Sequence, residues 1–430
     1  MNRRHDLPPE VTLDDEERAM SAGEFGPAAE FAVRLLVRMA PLYGANRLLP
    51  VTRAHIDGCI YSGDAGLEYA ERLAGMNGRV RVPTSLNVVS LDRARWRGLG
   101  IPADYADRAR RMAEAYLAMG AAPSFTCAPY QTAARPDFGE QIAWSESNAV
   151  AFANSVCGAR TNRYGDFLDI ACALAGRVPA AGLHLDEPRL ATTEIAMDAL
   201  PPGLTERDDF WPVLGYLVGG LVEDDVPVIT GLEAEPTEDQ LKALCAAAAT
   251  SGAVGMMHLA GITPEAPRAS DALGGRPPRR TIRAGLPALL DARRSLTTTG
   301  GGALDVVAFG SPHCSLAECR RIASLVAGER AAAGVAVFVT TSRAVRDLLW
   351  RSGDLAVLEA FGARVTADTC IVVAPPLVPA GARVLMTDSA KYAHYGPGLL
   401  GMEAAYGSTE ACIRSAIAGR VIGDDTGWTA

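Results

Sequence analysis

The fold is decided between residues 304 and 388. There LDVVAFG (304–310), VAVFVTT (335–341), the run around CIVVAPP (370–376) and ARVLMTD (382–388) alternate with SLAECRRIASLVAGE (315–329) and SRAVRDLLWRSGDLAVLEAFG (342–362). The first four are short, nearly continuous apolar runs rich in Val. The intervening segments carry apolar residues at helical spacing. Strands that are apolar on both faces belong to a parallel sheet covered by helices on each side. In such sheets ligands gather beyond the strand carboxyl ends, where GSPHCS (310–315), ADTC (367–370) and DSAKYAHYGPG (388–398) fall.

The same alternation continues toward the N-terminus. A strand is expected at LLPVTRAHID (48–57), then a Gly-rich turn GCIYSGDAG (58–66), a helix around YAERLAGM (69–76) and a strand at RVRVPT (79–84). A charged helix follows over 104–119, and Pro123 and Pro129 bracket Cys127 on a loop or strand end. WSESNAVAFANSVC (144–157) has helical spacing with Ser145 or Ser147 available as N-cap, and it runs into GARTNRYGD (158–166). Strands are expected at AAGLHLDE (180–187) and VPVITG (226–231), and helices at FWPVLGYLVGGLV (210–222) and 237–250, the last opened by a Thr237 and Gln240 capping box. Residues 1–20 read as an N-terminal tail, although Thr12 with Asp14, Asp15 and Glu16 already signals a capped helix start. PEAPRASDALGGRPPRR (264–280) is the best linker candidate. The expected organisation is a first α/β region over 21–265, a linker or surface loop over 266–282 and a second α/β region over 283–430.

The chain has 430 residues, 49% of them hydrophobic and 21% charged, enough to build several cores. Its 41 basic and 50 acidic residues give a net charge of -9, which argues against a nucleic-acid or anionic-membrane partner and for a small ligand. No signal peptide and no membrane-length apolar run is present, so a cytoplasmic protein is expected. Nine cysteines in such a chain read as thiols, and none forms a CxxC pair. A metal site would have to be assembled from distant segments.

Cys172, Cys245, Cys319 and Cys412 lie on helical stretches and suit an apolar core. Cys127, Cys314 and Cys370 stand at loop or strand ends, where either core packing or ligation is open to them. Three converging thiolates would hold an iron-sulfur cluster with one iron free to polarise a substrate hydroxyl. Hydroxide is a poor leaving group, so such a reaction also needs a base and cationic donors for the neighbouring carboxylate or phosphate. Arg160, Asn162 and Arg163 form a compact anion clamp, Ser389 and Lys391 a second polar cluster, and His313 and His394 are available as orienters or proton carriers. His258 reads as a core histidine.

Together the motifs YGANRL (43–48), GDAGLEYAERL (63–73), TCAPY (126–130), FGEQIAWSESNAVAFANSV (138–156), GARTNRYGD, GLHLDE (182–187), MMHLAGITPEAP (256–267), GSPHCSLAE (310–318), ADTC and SAKYAHYGPG (389–398) resemble the large subunit of aconitase X, a branch of the aconitase superfamily. The resemblance spans nearly the whole chain. It implies a multi-lobed, three-layer α/β/α catalytic body with mostly parallel sheets, lacking the swivelling β domain. It also implies an iron-sulfur hydro-lyase completed by a separately encoded small swivel-domain subunit; the related domain in aconitases supplies a serine base. Lys391, Ser389 and His313 are then the catalytic candidates, and Arg160, Asn162, Arg163, Ser145 and Ser147 the substrate-binding ones.

Two family activities fit, dehydration of cis-3-hydroxy-L-proline and dehydration of mevalonate 5-phosphate. The turns HIDGCIYSGDAG and GARTNRYGDFLDIA resemble the bacterial hydroxyproline type. Archaeal-type members carry Cys-Pro-His where this sequence has Ser311-Pro312-His313. The expected ligands are therefore Cys127 and Cys370, with Cys314 or Cys59 as the third and the cluster nuclearity open. From other classes, a Cys and His hydrolase using Cys314 or Cys127 and a non-catalytic iron-sulfur protein compete.

Overall fold

A computed structural model describes residues 10–423 and 427–428. The decisive segment forms a five-stranded, fully parallel sheet in the order Ala363–Ala367, Ala336–Thr341, Val306–Cys314, Val384–Thr387, Glu403–Tyr406. Alternate residues of its strands enter different cores, as the two-residue period requires. Val307, Phe309, Val337, Val339 and Met386 pack with Ile322, Leu349, Leu358 and Ile413 of the covering helices. Val306, Ala308, Phe338 and Leu385 face the other way, into a core shared with Leu36, Ile56, Leu86 and Tyr116 of the first region. One face thus belongs to its own helices, and the other clamps the N-terminal region.

The remaining strands form a parallel three-stranded sheet (Thr84–Leu86, Ala54–Ile56, Ala143–Trp144), a parallel four-stranded sheet (His258–Leu259, Pro227–Thr230, Thr193–Met197, Arg280–Ala284) and an antiparallel pair, Leu48–Pro50 with Arg177–Pro179. The expected α/β architecture with mostly parallel sheets is observed. Helices Phe210–Val222 and Glu238–Ser251 match expectation, the second opened by the Thr237–Gln240 capping box.

Several elements differ from the sequence reading. CIVVAPP is not a strand; Ala363–Ala367 takes that sheet position, because Pro375 and Pro376 have no N–H for a ladder and open the 3₁₀ turn Pro375–Leu377. LLPVTRAHID splits into two strands in different sheets, Leu48–Pro50 and Ala54–Ile56. RVRVPT contributes only Thr84, since Pro83 likewise lacks a donor. AAGLHLDE contains the turn Gly182–His184, with Gly182 at φ +54°, and the strand precedes it at Arg177–Pro179. Of the expected tail, residues 1–9 lie outside the described residues, whereas Thr12 bridges Arg47 and Asp14 caps the helix Asp15–Ser21. The expected linker at 266–282 lies within the four-stranded sheet's connectivity, because Arg280–Ala284 pairs with Thr193–Met197. The change of sheet comes after the helix Leu286–Ser295.

Candidate functional site

Carboxyl ends of the three-stranded sheet and of the five-stranded sheet meet at one cavity of 470 Å³. Asp57 follows the strand Ala54–Ile56, Asn87 follows Thr84–Leu86, and Ser145, Glu146 and Ser147 follow Ala143–Trp144. From the opposite side come Ser311, Cys370, Lys391 and Tyr395, while Cys127, Arg163 and Asp166 complete the wall. Extended backbone ends at each strand terminus, freeing side chains and peptide groups to face a ligand.

Glu146 is the N-cap of the helix Ser147–Phe152, where its side chain accepts the Ala149 N–H at 2.6 Å. That corrects the choice of Ser145 or Ser147 as cap. The other carboxylate oxygen holds Lys391 Nζ at 2.6 Å, a pair spanning the two sheets. Burial by itself would raise the Glu146 pKa, but Lys391 and the cap hydrogen bonds carry it below the usual range. Burial would lower that of Lys391, but Glu146 holds it well above its ordinary value. Lys391 is therefore an ammonium donor at neutral pH.

Asp57 accepts a hydrogen bond from Asn87 Nδ2 and is raised to about 8 by burial, with Glu146, Asp166 and Asp169 adding repulsion and Asn87 opposing. Asp169 lies behind it and is spent on structure, accepting Asp57 N–H at 2.7 Å, Gly58 N–H at 3.0 Å and Ser145 Oγ–H at 2.9 Å. Arg163 faces the cavity with a hydrogen bond to the Ala249 carbonyl at 3.3 Å, and among the described residues no carboxylate lies within ion-pair distance of it.

Cys127 and Cys370 share the cavity. Cys127 Sγ accepts the His313 backbone N–H at 3.1 Å, a contact that suits a thiolate. Without a cation on sulfur, burial pushes Cys127 up to about 12, with Glu146 adding and Lys391 opposing, and burial raises Cys370 as well. Ser311 occupies the third side.

The two other cysteines expected as ligands lie elsewhere. Cys59 donates to the carbonyls of Asn87 at 3.3 Å and Ile56 at 3.5 Å, turned into its own Gly-rich turn. Cys314 lines a separate cavity of 340 Å³ with Asp239, Lys242, Glu318 and Asp388, and its thiol pairs with Cys319. The shift of three residues from Ser311 to Cys314 follows the strand past the corner of the site. Among the described residues no three His, Cys, Asp or Glu side chains are grouped to hold a metal. Of the cysteines expected as ligands, the chain thus brings two, Cys127 and Cys370, to one cavity, a pair of thiols whose chemistry fits an iron-sulfur group.

The remaining sequence candidates separate. Arg160 pairs with Asp186 and reaches the His184 carbonyl, and Asn162 braces the Ala181–Leu183 backbone at 2.9 and 2.8 Å, so only Arg163 of the expected clamp faces the cavity. Ser145 and Ser147 line it; Ser389 caps the helix Ala390–Tyr395 and donates to the Ser311 carbonyl, facing the second cavity. The His313 imidazole lies between Thr126 Oγ1 and the Thr369 carbonyl, and burial lowers it to about 4. It orients the backbone beside both cysteines and makes no hydrogen bond to a thiol, so the Cys and His dyad of a hydrolase is not formed. His394 pairs with Tyr216, and His258 is buried against the Arg189 carbonyl as a core histidine. The sequence reading missed Asp57 and Glu146. Asp57 was findable as the residue after a parallel strand, whereas the Glu146 partnership with Lys391, 245 positions away, has no sequence signal.

Comparisons with known proteins agree with this architecture. Family models for the aconitase X first, second and third domains match residues 10–187, 191–293 and 304–418. The chain is 51% identical to a cis-3-hydroxy-L-proline dehydratase of Pseudomonas aeruginosa over 95% of this chain and 70% of that protein. It is 41% identical to a phosphomevalonate dehydratase large subunit of Methanothermobacter thermautotrophicus over 94% of this chain and 98% of that one. A crystal structure of the holo form of Thermococcus kodakaraensis aconitase X superposes with a TM-score of 0.84 at 34% identity, covering 94% of this chain and all of the other.

Proposed function

Because the chain belongs to the aconitase X family, we propose that it is the large subunit of an iron-sulfur hydro-lyase that dehydrates cis-3-hydroxy-L-proline. The observation that carries this reading is the placement of Cys127, Cys370, Lys391 and Arg163 around one cavity. The name of the relative at 51% identity supports the substrate. Cys127 and Cys370 would hold the iron-sulfur group, which supplies Lewis-acid assistance to departure of the C3 hydroxyl. Arg163 binds the substrate carboxylate, and the Lys391 ammonium, held by Glu146, stabilises negative charge developing beside it. The C2 proton goes to a base, which we assign to a separate small subunit carrying the swivel domain. The C3–O bond breaks with its electron pair on oxygen, the departing hydroxide takes a proton from solvent to leave as water, and the C2=C3 enamine tautomerises to 1-pyrroline-2-carboxylate. The methanogen relative, named as a large subunit and matched over 98% of its length, supports the two-subunit arrangement.

The substrate in that relative's name makes mevalonate 5-phosphate the competing reading. The test is anaerobic co-purification with the small subunit and assay on both substrates. Turnover of cis-3-hydroxy-L-proline that is lost in Cys127→Ala and in Cys370→Ala but kept in Cys314→Ala is expected. Full turnover by iron-free protein overturns the iron-sulfur assignment, turnover of mevalonate 5-phosphate alone overturns the substrate, and full turnover by the isolated chain overturns the small-subunit base.

A further inference from the structure

The charges around the 470 Å³ cavity do not cancel at random. Lys391 is matched by Glu146 at 2.6 Å, so the pair adds no net charge to the wall even though the ammonium still donates into it. Asp169 is consumed by the Asp57 and Gly58 amides and the Ser145 hydroxyl. What remains on the wall is Arg163 and, from the same turn and from the end of the strand Ala54–Ile56, Asp166 and Asp57. Among the described residues no ion pair engages Arg163, Asp57 or Asp166. Asp57 lines the cavity and keeps a single side-chain hydrogen bond, from Asn87 to one of its two carboxyl oxygens. Asp57 and Asp166 are close enough to repel each other, a cost that a bound cation would remove.

One unmatched cation and two unmatched carboxyl groups describe the complement of a zwitterion. A ligand carrying only phosphate and carboxylate would bring several negative charges to a wall whose one unpaired cation among the described residues is Arg163, and it has no cation to hold Asp57, raised to about 8 by burial, in its ionised form. An α-amino acid puts its carboxylate on Arg163 and its ammonium on the acidic part.

We infer that Asp57, with Asp166 beside it, is the receptor for the substrate's ring ammonium and thereby selects amino-acid over phosphorylated substrates. This rests on the carboxylate-at-Arg163 reading of the same cavity. Asp57 is a binding residue here: it touches the substrate nitrogen and takes no part in breaking the C–O bond.

The experiment uses the assembled two-subunit enzyme and two competitive ligands that differ only at the ring atom, L-proline with an ammonium and tetrahydrofuran-2-carboxylate with an ether oxygen. Wild type should bind L-proline more tightly by about tenfold or more, the scale of a charge-assisted hydrogen bond. Asp57→Asn keeps a carbonyl oxygen for Asn87 but loses the charge. It should erase most of that ratio by weakening L-proline alone, and raise KM for cis-3-hydroxy-L-proline more than it lowers kcat. Asp166→Asn, at an exposed position where folding is not at stake, should reduce the ratio by roughly two- to threefold. Unchanged affinity for tetrahydrofuran-2-carboxylate in both variants reports an intact cavity. A ratio that neither variant moves, in an enzyme that turns over cis-3-hydroxy-L-proline, overturns the ammonium receptor and leaves the proposed function standing. A wild-type enzyme that does not turn over that substrate overturns the functional reading and this inference with it.

Discussion

Single titratable residues in this molecule are set by burial against neighbours from distant segments, and Asp388 shows the consequence for stability. Its carboxyl is raised from 3.8 to about 7 by burial, with the Thr409 hydroxyl opposing and Glu318 adding repulsion. The folded state therefore keeps a proton that the unfolded chain gives up near pH 4. Its contribution to stability is fully present below the unfolded pKa and is lost as the pH rises toward 7. Asp388→Asn, which still accepts from Thr409, should be more stable than wild type at pH 8 by roughly 2 kcal/mol, with the gap closing toward pH 4. Urea midpoints at the two pH values check this, and a gap that does not shrink on acidification contradicts it. The same dependence on distant partners decides how much of the site was legible. Cys127, Cys370, Arg163 and Lys391 carried chemistry in recognisable motifs at strand ends. Glu146 read as part of a polar cluster because nothing in WSESN announces a lysine on another sheet. Arg160 and Asn162 read as functional because their engagement by Asp186 and by the 181–183 backbone is likewise invisible in their own segment.

Helices and strands were legible where periodicity was unbroken and uncertain where Pro or Gly set the boundary. Phe210–Val222 could be read directly from its apolar run, yet two of its three glycines have a function that the run does not disclose. A Cβ on Gly219 would lie 2.2 Å from Ser251 Oγ and 2.5 Å from the Ala248 carbonyl, and one on Gly215 would lie 2.2 Å from the Leu244 carbonyl. These glycines let the helix press against Glu238–Ser251, whose Lys242 is anchored by Asp239 and Glu318 behind the site. Gly220 on the outer face meets nothing within 4 Å. Gly219→Ala should therefore destabilise by roughly 1–3 kcal/mol through backbone clash, whereas Gly220→Ala should stabilise by up to about 1 kcal/mol through helix propensity alone. Thermal midpoints moving in opposite directions check the packing, and two midpoints moving the same way count against it. The strands that were misplaced, at 79–84, 180–187 and 370–376, carry Pro83, Gly182 and Pro375 with Pro376, the residues that set their boundaries. At 370–376 pattern alone could not tell a buried turn from a buried strand, because both satisfy the core, whereas 79–83 is an exposed or half-buried approach to the strand that begins at Thr84.

At the scale of the whole molecule, the cavity is walled by residues 57–166 and 311–399, and none of its lining residues comes from 191–293. Its two thiols therefore belong to different parts of the chain, Cys127 to the first family domain and Cys370 to the third. Those parts already share one core, in which Ile56 and Leu86 pack with Val306, Phe338 and Leu385. A group held by both thiolates would act as a cross-link between sequence regions 243 positions apart (370 − 127), adding its binding free energy to the folded state alone. Anaerobic loading with iron and sulfide should raise the thermal midpoint by roughly 5 °C, the scale expected for binding at about a hundred times Kd, and chelation should reverse it. Cys127→Ser and Cys370→Ser should each abolish the whole increment, since one remaining thiolate no longer bridges the two parts. Cys314→Ser and Cys59→Ser should retain it, because those thiols lie in another cavity and in a turn. An increment that survives loss of Cys370 but not of Cys314 would move the anchoring group to the second cavity and overturn the two-thiolate arrangement.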